Sequence, residues 1–183
     1  DNIPDTQLAE RLVEEREKPP IGLQGFCEYN GSLYGVVKNT HDLRFTAINE
    51  PESWGAFNIE PIAPGDGQVI TGVNKLTRLI IYKERSIHTW EGIPGLFRRI
   101  QRSDGVGCAS HRTIKSVIAP NGGSVHMFMD RHGVYVFDEQ DPIDLSREIQ
   151  PIFNGRDDKY VFNASRADQA VAEYSFVDKK YVL

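Results

Sequence analysis

The sequence has few cysteines and no long apolar run. Its 183 residues include only two cysteines, Cys27 and Cys108, too few for the disulfide framework that stabilises many small secreted proteins. Two buried free thiols are favoured over a bridge between them, although both alternatives stay open. No segment approaches the roughly 18 consecutive apolar residues of a membrane span, and no signal-peptide pattern is present. We therefore expect no membrane partner.

Positive charge is also scarce. Lys and Arg number 21 against 26 Asp and Glu, which gives a net charge of −5. This balance argues against a general or sequence-specific nucleic-acid binder and against binding to anionic membranes. One local basic cluster stands out, formed by Arg98, Arg99 and Arg102. We interpret it as part of an exposed connection, either solvated or in contact with a partner protein or a phosphate, and we take its arginines as candidate partner contacts.

Catalytic and metal-binding patterns are missing as well. The sequence contains no common zinc-ligand spacing, no nucleophile elbow and no phosphate-binding glycine loop. Glycosidases with a propeller fold use paired carboxylates, and four acidic residues lie in or beside the apolar segments: Glu84, Glu91, Asp130 and Asp138. Solvated turns and strand ends are the favoured interpretation of these four. The sequence therefore predicts no catalytic residue, no metal and no cofactor.

What the chain does contain is a repeat. Three segments, each an apolar strand, a polar turn and a second strand, span residues 33–47, 79–91 and 125–138, and a weaker fourth spans 170–183. Leu43, Ile87 and Val134 follow the first three turns and are 44 and 47 residues apart. A period in the forties made of hairpins is typical of β-propeller blades. Because one hairpin cannot bury its apolar face alone, the units must stack on one another.

The repeat predicts an all-β, antiparallel β-propeller-like domain over residues 21–183. Three to four blades fit this length, and propellers close with four to eight. We therefore expect part of a larger propeller, incomplete at its C-terminus. Residues 1–20 differ in composition and predict a short N-terminal helix or linker, which Pro19 and Pro20 end.

Each repeat unit also has a candidate first strand and a longer connection. The candidate first strands are residues 23–28, 68–72, 113–118 and 167–174. The predicted connections are residues 50–57, 92–100 and 142–153, the last with a short helix capped by Asp144. Strong turn signals such as Asn30-Gly31 separate the strands within the units.

Three aromatic residues are predicted to belong to the structural core. Trp90 and Phe137 lie in the hairpins, where strand aromatics usually pack between sheets. Trp54 lies in a Pro-Glu-Ser-Trp loop. We interpret Trp54 as a plug where a connection crosses between units, with an exposed binding anchor as the alternative.

Many short segments together resemble a sequence pattern of virion proteins in tailed bacteriophages. They are Pro19–Leu23, Tyr29–Gly35, Leu43–Thr46, Glu50–Trp54, Ile70–Gly72, Arg78–Ile87, Gly92–Pro94, Gly107–Ser110 and Gly133–Phe137. In that pattern a Pro-Pro-x-Gly-Leu start leads into a hairpin, and a Glu-Pro-x-x-Trp loop follows. The resemblance covers roughly residues 19–155 and rests on many weak matches. The stretch Ala47-Ile-Asn-Glu-Pro51 departs from it, because a tighter Ser-Glu-Pro is usual there.

The resemblance implies a non-enzymatic structural protein of the phage tail or head–tail connection. Its partners would be other virion subunits, with a homo-oligomeric ring expected, and its location the virion tail or the host cytoplasm during assembly. Two alternatives stay open. One is a cellular propeller that binds carbohydrate or protein, and the other is a glycan-cleaving hydrolase of the tail-spike type.

Overall fold

A computed structural model describes residues 18–157 and 159–183. The helix predicted before Pro19 lies outside these residues. The described chain is mostly β and forms four antiparallel sheets. In this part of the chain, no helix is long and apolar enough to cross a bilayer.

Three of the sheets have four strands each, and in each the strands follow chain order. The first sheet contains β1 (Leu23–Tyr29), β2 (Ser32–Val37), β3 (Asp42–Phe45) and β4 (Ile59–Pro61). The second contains β5 (Ile70–Lys75), β6 (Leu79–Lys83), β7 (Ser86–Ile93) and β8 (Leu96–Asp104). The third contains β9 (Lys115–Ile118), β10 (Ser124–Asp130), β11 (Gly133–Phe137) and β12 (Ile143–Asp144).

The remaining elements are short. A two-stranded sheet pairs β13 (Glu173–Ser175) with β14 (Lys180–Val182). The α-helix α1 (Gln150–Phe153) follows the third sheet. Single 3₁₀ segments occupy Pro64–Asp66, His111–Thr113, Arg147–Ile149 and Ala164–Gln169.

The three predicted hairpins are confirmed, and they occupy equivalent places. They form β2–β3, β6–β7 and β10–β11, which are the second and third strands of their sheets. The turn predicted at Asn30-Gly31 is confirmed as well. Asn30 and Gly31 both have positive φ in the two-residue turn between β1 and β2, as the tight hairpin turn that matches strand twist requires.

Other sequence predictions were wrong in placement. Residues 92–100 do not connect sheets but form the β7–β8 hairpin, and residues 50–57 lie inside the first sheet, between β3 and β4. The first strand predicted at residues 113–118 is confirmed over Lys115–Ile118, after a 3₁₀ turn that ends at Thr113. The one predicted at residues 167–174 was wrong, because a 3₁₀ segment runs to Gln169 and the strand begins only at Glu173. Asp144 does not cap a helix, because its carboxylate accepts hydrogen bonds from the backbone N and Oγ of Ser146. Strands on the rim of a sheet lack the alternating burial that makes central strands recognisable.

The second sheet is packed on both faces. All five residues of β6 are buried. Because strand side chains alternate between faces, its apolar side chains belong to two separate cores. Leu79 and Ile81 join the core shared with the first sheet, which also contains Trp90. Ile80 and Tyr82 join the core shared with the third sheet, which also contains Phe137.

The predicted core aromatics are all buried, although one has a different setting from that expected. Trp90 is 1% exposed and its ring centroid lies 4.2 Å from that of Phe97, while Phe137 is fully buried. Trp54 is 4% exposed and meets Phe26 edge to face. The loop that carries Trp54 joins β3 to β4, so Trp54 covers the first sheet and does not plug a crossing between sheets.

We expect Trp90→Ala to destabilise the protein by about 3–5 kcal/mol, because it leaves a large cavity in a well-packed core. The matched control is Phe57→Ala, since Phe57 is 94% exposed and its loss should change stability by less than about 0.5 kcal/mol. Urea unfolding followed by circular dichroism measures both. A cooperative Trp90→Ala transition at the wild-type midpoint would contradict the assignment.

Candidate partner-binding site

The three candidate arginines lie on the edge strand β8 of the second sheet. Arg98 is paired with Glu91 and Arg99 with Trp90 in the register of β7 and β8. Arg98 and Arg99 are exposed, and Arg102 is partly buried. The Nε of Arg102 donates a hydrogen bond to Thr89 Oγ1 at 3.1 Å. The arginines therefore project from a strand, not from the loop that the sequence predicted.

The structure divides the three arginines between two faces. Neighbouring residues of a strand point to opposite sides, so Arg98 and Arg99 diverge. A hydrogen bond from Arg78 holds the pKa of Glu91 below its ordinary value, and the charges of Arg98 and Arg102 act in the same direction. Arg99 instead lies on the face of His88, whose pKa is lowered mainly by burial and further by the Arg99 charge. The cluster is thus two cationic sites on one edge.

The β8 edge is also unusually long. It has nine residues, whereas the corresponding fourth strands β4 and β12 have three and two. It is the last strand in its sheet, and within residues 18–157 and 159–183 it pairs with β7 alone. A strand with a neighbour on one side only has unpaired backbone N–H and C=O groups on the other.

The acidic residues that might have served catalysis all have structural partners. Glu84 lies 3.5 Å from Arg131, and Glu91 is paired with Arg78. Asp130 is 1% exposed and accepts a hydrogen bond from the backbone N of His132. Asp138 accepts one from the backbone N of Gln140. A general acid needs a raised pKa, and the pairing with Arg78 shifts that of Glu91 the opposite way.

Glu139 joins the second sheet to the third, and sequence reasoning missed it. Its carboxylate accepts hydrogen bonds from the backbone N of Thr77 at 2.6 Å, and from the backbone N and a terminal guanidinium nitrogen of Arg78 at 2.8 and 2.6 Å. It is 5% exposed and has a φ of 74°. An acidic residue in a polar turn is typical of a solvated surface, so residue type gave no signal.

Lys83 joins the first sheet to the second in a similar way. Its ammonium group is fully buried and donates to the carbonyl oxygens of Ile62 and Ala63 at 2.9 and 3.0 Å, and to Asp66 Oδ1 at 2.6 Å. Burial alone would raise the pKa of Asp66, but hydrogen bonds from Lys83 and from the backbone N of Gln68 outweigh it and lower that pKa. The three acceptors satisfy all donors of the buried cation.

His126 forms a buried polar link between the second and third sheets. Its Nε2 lies 3.1 Å from the carbonyl oxygen of Lys75, and its Nδ1 lies 2.8 Å from the hydroxyl of Tyr82. A carbonyl can only accept, so Nε2 carries the proton and Nδ1 accepts from Tyr82. Burial lowers the pKa of His126 to about 4. Within the described chain, no three metal-ligating side chains come together.

Concave regions adjoin the sheets. A small polar cleft lies where the first two sheets meet the His111 turn, and its lining includes Thr71, Ser110 and Arg131. A larger groove of about 540 Å³ covers the outer face of the third sheet. Its lining is apolar at Val117 and Ile143 and partly shielded by the β13–β14 hairpin through Tyr174.

The two cysteines are free and buried, which answers the question that their number left open. Cys27 belongs to the core between the first and second sheets, and Cys108 to the core between the second and third. Burial raises the pKa of Cys27 to about 11 and that of Cys108 to about 12.

No protein-family model matches this chain, and no curated protein is significantly similar to it. The structure offers an exposed basic strand edge, together with candidate carboxylates that are ion-paired (Glu84 and Glu91) or hydrogen-bonded to backbone N–H groups (Asp130 and Asp138).

We expect the protein to lose stability as the pH falls from about 6.5 to about 4. In this window an unfolded histidine, with an ordinary pKa of 6.5, takes up a proton that folded His126, with a pKa of about 4, does not. His126 alone should cost about 2 kcal/mol between about pH 7.5 and about pH 5. Burial lowers the pKa of His88 in the same direction.

Urea midpoints at the two pH values measure this loss. His126→Gln should reduce the difference, because glutamine offers polar groups but does not titrate. His132→Gln is the control, since the His132 side chain is 68% exposed, and it should retain most of the wild-type loss. An unchanged pH dependence in His126→Gln would show that another group is responsible.

Proposed function

We propose that the chain is a non-enzymatic structural component of a tailed-phage virion, in the tail or the head–tail connection. In this proposal the three four-stranded sheets are blades of a β-propeller that serves as a platform for subunit assembly. The observation that carries the propeller part of the proposal is the second sheet, which packs face to face with a sheet on each side and is fully buried along β6. The virion part rests on the sequence resemblance.

Repeated contacts between sheets support the propeller. The β1–β2 turn of the first sheet reaches the end of β7 in the second, beside the β7–β8 turn, where Asn30 Nδ2 donates to the Gly92 carbonyl at 2.9 Å. The β5–β6 turn of the second sheet reaches the β11–β12 turn of the third through Arg78 and Glu139. At both interfaces, the turn between the first two strands of one sheet contacts the region of the turn between the last two strands of the next. This repetition is expected when successive sheets are rotated about a common axis. A closed ring needs at least four blades, so further sheets would complete it.

The character of the polar groups supports a structural role. Buried charges and polar side chains serve to join sheets, as Lys83, Glu139 and His126 do, and buried groups of this kind favour one arrangement of the elements. The sequence resemblance to tailed-phage virion proteins supplies the biological setting. The expected partners are other virion subunits, including further copies in a homo-oligomeric ring, with no cofactor or metal involved.

A cellular binding propeller is the second candidate, and one observation favours it. The groove on the third sheet is concave, largely apolar and lined in part by the aromatic Tyr174. A groove of this kind is suited to bind an extended protein segment or a carbohydrate. A ligand bound there in a cell that carries no phage genes would favour this candidate.

Virion membership can be tested directly. We expect mass spectrometry of density-purified phage particles to detect the chain at a fixed stoichiometry to the major tail protein. Antibody-gold labelling in electron microscopy should then place it on the tail or its junction with the head. Detection in the infected-cell lysate but absence from the purified particles would contradict the proposal.

The non-enzymatic part makes a separate prediction. Purified protein should show no turnover of capsular polysaccharide or peptide substrates, because its candidate carboxylates accept hydrogen bonds or ion pairs within the protein. The comparison variants are Glu84→Gln and Asp130→Asn. Substrate turnover that either variant abolishes would show that the chain is an enzyme.

A further inference from the structure

We propose that the open edge of β8 binds an extended acidic segment of a partner protein, which adds a fifth strand to the second sheet. The inference rests on the proposed function as an assembly platform and specifies how one contact is made.

The backbone of β8 is available for strand addition. Among the residues that the structure describes, no strand pairs with the side of β8 away from β7. Apart from the Ser103 carbonyl, which accepts from Gln101 Nε2, its outward N–H and C=O groups form a row that is a template for another strand. The equivalent edges are short and end in or begin after proline, at Pro61 in β4 and at Pro142 before β12. Proline removes a backbone donor and blunts an edge. β8 contains none.

The charge on this edge selects the partner. Arg98 and Arg99 are exposed, and among the residues that the structure describes neither has a carboxylate within ion-pair distance. The chain as a whole has a net charge of −5, so this cationic edge contrasts with the rest of the surface. Guanidinium groups pair with carboxylates through strong, charge-assisted hydrogen bonds.

The geometry specifies the order of residues in the partner. Arg98 and Arg99 point to opposite faces of the sheet, and an added strand would place two consecutive residues opposite them. Two adjacent acidic residues would therefore meet one arginine on each face. Leu96 is 76% exposed and Ile100 is partly buried. Both lie on the Arg98 side of the strand, which favours apolar residues two positions from an acid.

Charged side chains on an edge also have another use, because they prevent unwanted pairing between sheets. If the arginines have that role here, no added strand would bind, whatever its charge. A peptide that binds by strand addition distinguishes the two roles.

The test uses a fluorescein-labelled peptide with the sequence Thr-Val-Glu-Glu-Thr-Val-Thr and fluorescence anisotropy at physiological salt. We expect saturable binding that weakens by at least about tenfold when both glutamates become lysines. N-methylation of alternate backbone nitrogens, in the register that faces β8, should also weaken it by at least about tenfold, because it removes the donors of a ladder.

Matched protein variants identify the surface. The double variant Arg98→Glu and Arg99→Glu should lose the acidic peptide and gain affinity for the lysine peptide. The double variant Arg98→Gln and Arg99→Gln should lose affinity for the acidic peptide without gaining affinity for the lysine peptide. Arg112→Glu with Arg166→Glu makes the same charge change at exposed arginines away from β8 and should bind normally. Because the altered side chains are exposed, melting temperatures should stay near that of the wild type.

Two outcomes would overturn the inference. One is the absence of saturable binding to the wild-type protein at millimolar peptide. The other is binding that survives N-methylation or the loss of Arg98 and Arg99, which would indicate non-specific charge attraction. Neither outcome bears on whether the chain is present in purified virions, so this inference and the proposed function can fail separately.

Discussion

A sheet of four strands has two faces, and each face that carries apolar side chains must be covered to be stable in water. The second sheet meets this requirement with a neighbour on both sides, and its strand β6 is buried at every position. The first and third sheets each use it to cover one face. Loss of either interface would therefore expose two apolar faces at once, and the three sheets depend on one another.

Apolar packing is non-directional, so it does not by itself determine how one sheet is oriented on the next. Buried polar groups at the two interfaces supply that direction. The Lys83 ammonium finds its carbonyl acceptors only if the connection that leaves the first sheet lies against it. The Glu139 carboxylate finds its backbone donors only if the turn at Arg78 lies beside it. A buried charge that loses its partner costs several kcal/mol. Alternative orientations of the sheets are disfavoured by that amount.

The sequence was informative where structure depends on neighbouring residues. Alternating apolar residues around Leu43, Ile87 and Val134, with turn residues between them, predicted three hairpins that the structure contains. It was uninformative where partners are distant in the chain. Arg78 and Glu139 are 61 residues apart, and neither residue type nor spacing announces that they meet.

The candidate site, too, was predicted from the sequence only in part. Composition identified Arg98, Arg99 and Arg102 as an unusual basic group, but not the strand that carries them. An edge strand is solvated along one side, so it needs no regular apolar alternation, and residues 92–100 were predicted as a connection. The separation of Arg98 from Arg99 across the sheet follows only once the strand is known.

The burial of both thiols has a practical chemical meaning. A thiolate is the species that reacts with maleimides and iodoacetamides, and with pKa values of about 11 and about 12 Cys27 and Cys108 hold almost none of it near neutral pH. Neither side chain is open to a reagent in the folded state. A single cysteine introduced on the surface would thus carry a spectroscopic label alone, and the native thiols would report unfolding by becoming reactive.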